Sequence, residues 1–252
     1  MSSGEKLQRQ PEDRPPFREP MRDFEGQRRI KEFENNPNKL VRMKYVYNTL
    51  KQVEEEVARF REAENVFRDF SEKCGIPVVR VDMVIGEDQG RPALFEVVDR
   101  VDGPNCQKMQ IDHKNVVELT AIIDTLYSKL VGYYSEKYAQ GGLYLEDLSG
   151  SQFVYGKKAG DISDRVYLVD VDPFVSEYNA EDREDPENIT MLSRMKFLAL
   201  CIDSLEKRLY GLKLVEARKE FGRFLGILIP SDAHKRVMEE TKEVLSRGDD
   251  SM

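Results

Sequence analysis

The stretch Tyr144-Leu-Glu-Asp147-Leu-Ser-Gly-Ser-Gln152-Phe-Val-Tyr155, followed after a polar loop by Val166-Tyr-Leu-Val-Asp170-Val-Asp172-Pro-Phe174, decides how this chain is read. In its first half an Asp, Asp147, is followed five residues later by a carboxamide, Gln152, just after the pair Gly141-Gly142 and just before an apolar run. In its second half a β-prone run sets two carboxylates, Asp170 and Asp172, at a strand end. Strands over Gln152 to Tyr155 and Val166 to Val171, joined by the polar loop Gly156 to Arg165, form a hairpin. Such a hairpin would bring Asp147, Gln152 and Asp170 into one cleft. Phosphoryl transfer needs these residue types together. One carboxylate orients or deprotonates the acceptor hydroxyl, while a carboxamide and a second carboxylate hold the magnesium that bridges the phosphates.

Working outward from that hairpin, a helix fits Asn115 to Tyr138 before it. Earlier still, Ile76 to Ile85 and Ala93 to Val98 read as two strands around the turn Gly86 to Gly90, with Asp99 to Gly103 as a connector. The runs Ile30 to Phe33 and Lys39 to Val46 flank the turn Asn35-Asn-Pro-Asn38 and predict a hairpin. A long helix is expected from Asn48 to Lys73, with the apolar stripe Leu50, Val53, Val57, Phe60, Phe67 and Phe70, ended by Gly75. Where that stripe asks for an apolar residue after Phe60 stands Glu64. A carboxylate on a buried stripe is costly unless paired, and the strand lysine Lys44 would pair it. Glu62 or Glu56 would serve if the helix phase differs. Residues 1–28, charged and carrying Pro11, Pro15, Pro16 and Pro20, read as a disordered tail or a weak strand near Phe24 to Gly26. Downstream lie an acidic loop, Ser176 to Asn188, and helices over Thr190 to Tyr210, Leu214 to Leu228, and Asp232 to Ser246, the last capped by Ser231. The expected layout is α+β: a first lobe of strands plus one long helix over 29–103, then a mostly helical lobe over 104–252.

The Asp147/Gln152 loop with the Asp170-Val-Asp172 strand end resembles the catalytic loop and the DFG-like segment of the protein-kinase-like superfamily, closest to the aminoglycoside and choline phosphotransferase branch. The resemblance implies a two-lobed kinase-like fold with a reduced first lobe. It matches Asp147 to the catalytic Asp, Gln152 and Asp170 to the metal ligands, and Asp172 to the glycine of the DFG-like triplet. It gives Lys44, with Glu64, the phosphates. It makes Phe95 to Gly103 similar to a hinge, so that backbone groups near Val97, Val98, Asp99 and Arg100 would bind adenine. The implied cofactors are ATP and Mg²⁺, and the implied activity is phosphotransfer to a hydroxyl of an unidentified acceptor. The segment after Asp170 is short, which leans toward a small-molecule acceptor. The chain departs from the family pattern in three places. Leu145 stands where the family has His, Gln152 where it has Asn, and no glycine-rich loop precedes Lys44. Those departures support an alternative, a catalytically inactive kinase-like binding or scaffold protein.

Composition narrows the field. A net charge of -8 over 252 residues, with no long Lys/Arg block, argues against nucleic acid as a partner. No apolar run of about 18 residues exists, so no membrane span is expected, and the polar start Met1 to Gln10 lacks the apolar core of a signal peptide. Cys74, Cys106 and Cys201 are few and widely spaced, which fits reduced thiols and a cytoplasmic setting. His113 and His234 form no metal-ligand spacing. Nothing in the residues sets an oligomeric state.

Overall fold

The computed structural model describes residues 17–22, 30–33, 36–146, 148–170, 175–181, 189–228 and 232–246. Asp147, Asp172, most of the acidic loop, Ser231 and the stretch Phe24 to Gly26 lie outside the described residues. The described residues form five helices and ten short strands in three small sheets, a mixed arrangement compatible with the α+β expectation. They divide into two compact units: residues 1–62, 79–102 and 156–164, and residues 63–78, 103–155 and 165–252.

The first unit is built on a five-stranded sheet of β1 (Phe17–Arg22), β2 (Ile30–Phe33), β3 (Asn36–Val46), β4 (Val81–Asp88) and β5 (Arg91–Asp99), in the order β1-β2-β3-β5-β4. All its pairings are antiparallel. The β5 run Ala93-Leu-Phe-Glu-Val-Val98 is buried throughout, as suits a strand with a neighbour on each edge. Alternation sorts its side chains. Ala93, Phe95 and Val97 pack with Val41, Met43, Val46 and Val84 on one face. Leu94, on the other face, packs with Val53 and Val57 of helix α1 (Leu50–Cys74). The hairpin Ile30–Phe33/Asn36–Val46 forms as expected, but β3 begins at Asn36, so three residues expected in the turn belong to the strand. Strand β1 corrects the tail reading for residues 17–22, which pair with β2. Mixed charge and Pro20 hid it. Proline is admitted to a sheet at its edge, and β1 is the edge strand, with the register shifting on both sides of Pro20. The short β6 (Val101–Asp102) pairs with Lys157 and Lys158.

The second unit centres on α2 (Val116–Gln140), which buries Ile123, Leu126, Leu130, Val131, Tyr134 and Tyr138 among others. A helix apolar on most sides must be covered on most sides. The end of α1 does part of this, where Phe70 meets Tyr133 edge-to-face at 5.1 Å. Helix α1 stops at Gly75, whose φ of +59° is the left-handed cap that glycine takes without strain. Beyond α2 come β7 (Gly142–Leu145), a 3-10 turn (Gly150–Gln152), β8 (Phe153–Lys158), β9 (Arg165–Leu168) and β10 (Val175–Tyr178). Strands β7 and β10 pair antiparallel, Leu145 opposite Val175, so residues expected to begin an acidic loop begin as a strand. Helices α3 (Ile189–Arg208), α4 (Val215–Ile227) and α5 (Asp232–Ser246) complete the unit, and Tyr138 packs edge-to-face on Phe224 of α4 at 5.5 Å. Among the described residues no helix is long and apolar enough to cross a membrane.

Candidate functional site

The loop from Leu145 to Gln152 is held by the helix that precedes it. Three tyrosines of α2 reach it. The Tyr134 hydroxyl lies 2.8 Å from the carbonyl oxygens of both Leu145 and Glu146, which share its one proton. The Tyr133 hydroxyl accepts from the Leu145 N–H at 3.2 Å, and the Tyr127 hydroxyl from the Gly150 N–H at 3.3 Å. Burial pushes the Tyr133 and Tyr134 phenols up, so both stay protonated. The Glu146 carboxylate accepts from the Ser176 hydroxyl on β10 and pairs with Arg194 of α3 at 3.3 Å. A Cβ on Gly150 would stand 3.2 Å from the Tyr127 hydroxyl, so this close approach of backbone to phenol favours glycine. The residues on both sides of Asp147 are thus anchored.

Phenol anchors of this kind have a measurable weight. Tyr134→Phe removes the proton shared by the buried Leu145 carbonyl and the part-buried Glu146 carbonyl, and the expected loss is about 1–3 kcal/mol of unfolding free energy in urea denaturation. A loss below about 0.5 kcal/mol, the range of an uninvolved surface change, would show that the hydroxyl does not fix the loop.

The structure brings Gln152 and Asp170 together through the backbone. The Gln152 carbonyl accepts from the Val169 N–H at 2.9 Å and the Asp170 N–H at 3.4 Å. The Gln152 side chain, however, faces back into its own turn. Its Oε1 lies 2.9 Å from the Ser149 N–H, 2.5 Å from the Ser149 hydroxyl and 2.9 Å from the Ser151 hydroxyl. Ser149 and Gln152 form a capping box around the 3-10 turn. The oxygen expected to ligate magnesium is therefore occupied as a cap, and Gln152 does not fit a metal ligand in this conformation. Asp170, half-buried, keeps its carboxylate at the end of the strand run. Among the described residues no three His, Cys, Asp or Glu side chains cluster as a metal site.

In the first unit, Lys44 is buried and ion-paired, with Glu96 of β5 at 3.1 Å, both side chains 0% exposed. Glu96 also takes the Arg42 guanidinium. The register of β3 on β5 slips between Met43 and Tyr45, and this bulge at Lys44 redirects the strand beside Glu96. The helix phase differs from the sequence expectation. The buried stripe of α1 runs Val53, Glu56, Val57, Phe60, Ala63, Val66, Phe67 and Phe70, so Ala63 takes the place assigned to Glu64, and Glu64 is exposed. Of the three helix carboxylates considered, Glu56 is the buried one, bonded to Arg59 one turn on. Glu96 is the residue that sequence reasoning missed. Its signal was there: one charge inside the apolar run Ala93 to Val98.

The backbone groups given to adenine are engaged in the fold. Val97 and Val98 lie in the β5 ladder, paired with Val41 and Asp82 and with Leu40 and Val81. The Asp99 N–H donates to the Arg80 carbonyl at 3.1 Å and the Arg100 N–H to the Asn38 carbonyl at 2.8 Å. The Asp99 carboxylate pairs with Lys39 at 2.7 Å and Lys158 at 3.3 Å. Burial would raise that carboxyl, but the two ammonium groups hold it below the usual carboxylate range. Burial raises the thiols of Cys74 and Cys106 to about 12 and raises Cys201 as well.

No protein-family model matches this chain, and no curated protein matches it. Among solved structures it is similar to the crystal structure of WbdD, at 13% identity and a TM-score of 0.40, over 90% of this chain and 51% of that one. The chain thus spans about half the length of that protein. Neither family nor activity follows from a likeness of that degree.

Proposed function

We propose that this chain is a kinase-like phosphotransferase that uses ATP and Mg²⁺ to phosphorylate a hydroxyl, of a small molecule by preference. The observation that supports it is the backbone junction of Gln152 with Val169 and Asp170. It joins an Asp-bearing loop, braced by three phenols, to a carboxylate at a strand end, the two parts a phosphoryl site needs side by side. On this reading Asp147 accepts the proton of the acceptor hydroxyl. Asp170 is the metal residue, and bound magnesium would neutralise charge on the transferred phosphoryl group. Gln152 changes role from ligand to positioning residue. Lys44 is assigned to the phosphates, with Glu96 rather than Glu64 as the carboxylate that orients it. Adenine is not assigned to the Asp99 and Arg100 N–H groups, which the fold already uses.

A second reading, an inactive kinase-like binding or scaffold protein, is favoured by one observation: the Gln152 oxygen caps its own turn. Thermal melting with ATP, with and without Mg²⁺, separates the two. At 100 times its dissociation constant a ligand adds about 2.7 kcal/mol to stability. The phosphotransferase reading expects a Mg²⁺-dependent shift that Asp170→Asn removes. It also expects Asp147→Asn to keep nucleotide binding while losing transfer. A shift indifferent to Mg²⁺ and to Asp170→Asn supports the inactive reading, and no shift with any nucleotide overturns both.

A further inference from the structure

The second unit holds a cleft of about 380 Å³, walled by the end of α1 and the residues after it (Gly75, Ile76, Pro77), by one face of α2, and by the paired segments around Tyr155 and Val166. That volume lies in the range of small-ligand sites. Its chemistry is uneven in a way that specifies a ligand. The walls are mostly apolar, with Ile76, Leu126 and Val166 among them, while Lys129 and Arg165 supply two cations. No carboxylate lines it, although the chain carries 47 acidic against 39 basic residues. Among the described residues Lys129 has no ion-pair partner, and its Nζ would lie 3.8 Å from a Cβ placed on Gly75. A side chain at position 75 would therefore reach toward the lysine head. The Arg165 guanidinium is set in place by Tyr167, donating to its hydroxyl at 2.7 Å and lying 5.0 Å from its ring centre.

We propose that this cleft binds an amphipathic organic anion, a carboxylate with an aliphatic body. The body lies on Ile76, Leu126 and Val166. The head is held by Lys129 and Arg165 through charge-assisted hydrogen bonds, which are stronger than neutral ones. The apolar wall excludes small inorganic anions as good ligands, because they leave it wet. The two cations on the walls, with no carboxylate beside them in the lining, disfavour amines. The inference rests on the cleft alone and stands whether or not the chain transfers phosphate.

Calorimetric titration of the intact chain with octanoate tests it, with octanol and octylamine as matched controls and no nucleotide present. Octanoate is expected to bind, octanol at least about tenfold more weakly, and octylamine not at all. Lys129→Met is expected to weaken octanoate about tenfold while leaving octanol unchanged. Thr125→Trp, at an exposed position of α2 on the cleft, fills the space and is expected to abolish binding of both, with the melting transition retained. The proposal is overturned if octanoate does not bind, if octylamine or octanol binds as tightly, or if Lys129→Met and Thr125→Trp both leave octanoate unaffected.

Discussion

Glu96→Gln is expected to lower the unfolding free energy by about 3–5 kcal/mol, the loss that follows when one partner of a buried ion pair is removed. Glu96 sits in the middle of β5 with its side chain fully buried, and it is the carboxylate that Lys44 and Arg42 both meet. Alternation along β5 puts it on the same face as Leu94, which packs on Val53 and Val57 of α1. The Lys44 ammonium is fully buried with Glu96 and the Arg42 guanidinium nearly so. An amide in place of the carboxylate keeps the shape and removes the compensating charge. Adding Lys44→Met to Glu96→Gln is expected to recover part of the loss, since an apolar side chain in place of a buried ion needs no counter-charge. Urea denaturation of the single and double variants measures both effects. A loss below about 1 kcal/mol for Glu96→Gln, or a double variant less stable than the single, would show that the pair is not what stabilises the sheet.

The second large effect is expected at Glu206. This α3 carboxylate is buried, accepts from the Arg218 Nε at 2.7 Å and Nη2 at 2.5 Å, and accepts from the Leu214 N–H at 2.9 Å. It thereby ties α3, the turn after it and α4 together. Glu206→Gln leaves the Arg218 guanidinium, itself mostly buried, without its counter-ion, for an expected loss of about 3 kcal/mol. The effect depends on pH in a definite direction. Burial alone would raise the Glu206 carboxyl, but Arg218, the Leu214 N–H and Lys213 outweigh it and hold the group below its ordinary 4.5. A carboxyl depressed by folding stabilises fully above its unfolded value and loses that contribution as pH falls through the lower folded value. The difference between wild type and Glu206→Gln is therefore expected to be constant above about pH 5.5 and to shrink in more acidic solution. A difference that persists unchanged into strong acid, or grows there, would contradict the assignment.

These two clusters illustrate what could and could not be read in advance. Glu96 interrupts an apolar run, so its burial was legible, yet its partner was not, because the pairing of Arg42 with Glu96 joins residues 54 apart. Lys44 lies in a strand, as its sequence context implies, but its carboxylate comes from the neighbouring strand β5 and not from helix α1. Helical spacing admits either three or four residues to the next buried position. After Phe60 the four-residue step falls on Glu64 and the three-residue step on Ala63, a side chain too small to announce a stripe. Packing took the second. The strands β7 and β10 escaped for a related reason. Each has four residues, and each is a strand only because the other lies beside it.

The sequence by itself determined the long helices, through periodic apolar residues and the glycine after Cys74. It determined the buried β5 strand through an apolar run that only Glu96 interrupts, and the residue types of the candidate site through the spacing of Asp147, Gln152 and Asp170. Only the tertiary structure decided which carboxylate neutralises Lys44, that Gln152 Oε1 closes its own turn, and that the Asp99 and Arg100 N–H groups are already bonded. The division is physical. Periodicity is a property of neighbours along the chain, whereas the partner of a buried charge or hydrogen-bonding group is whichever group the folded chain places within reach, because leaving it unpaired is costly.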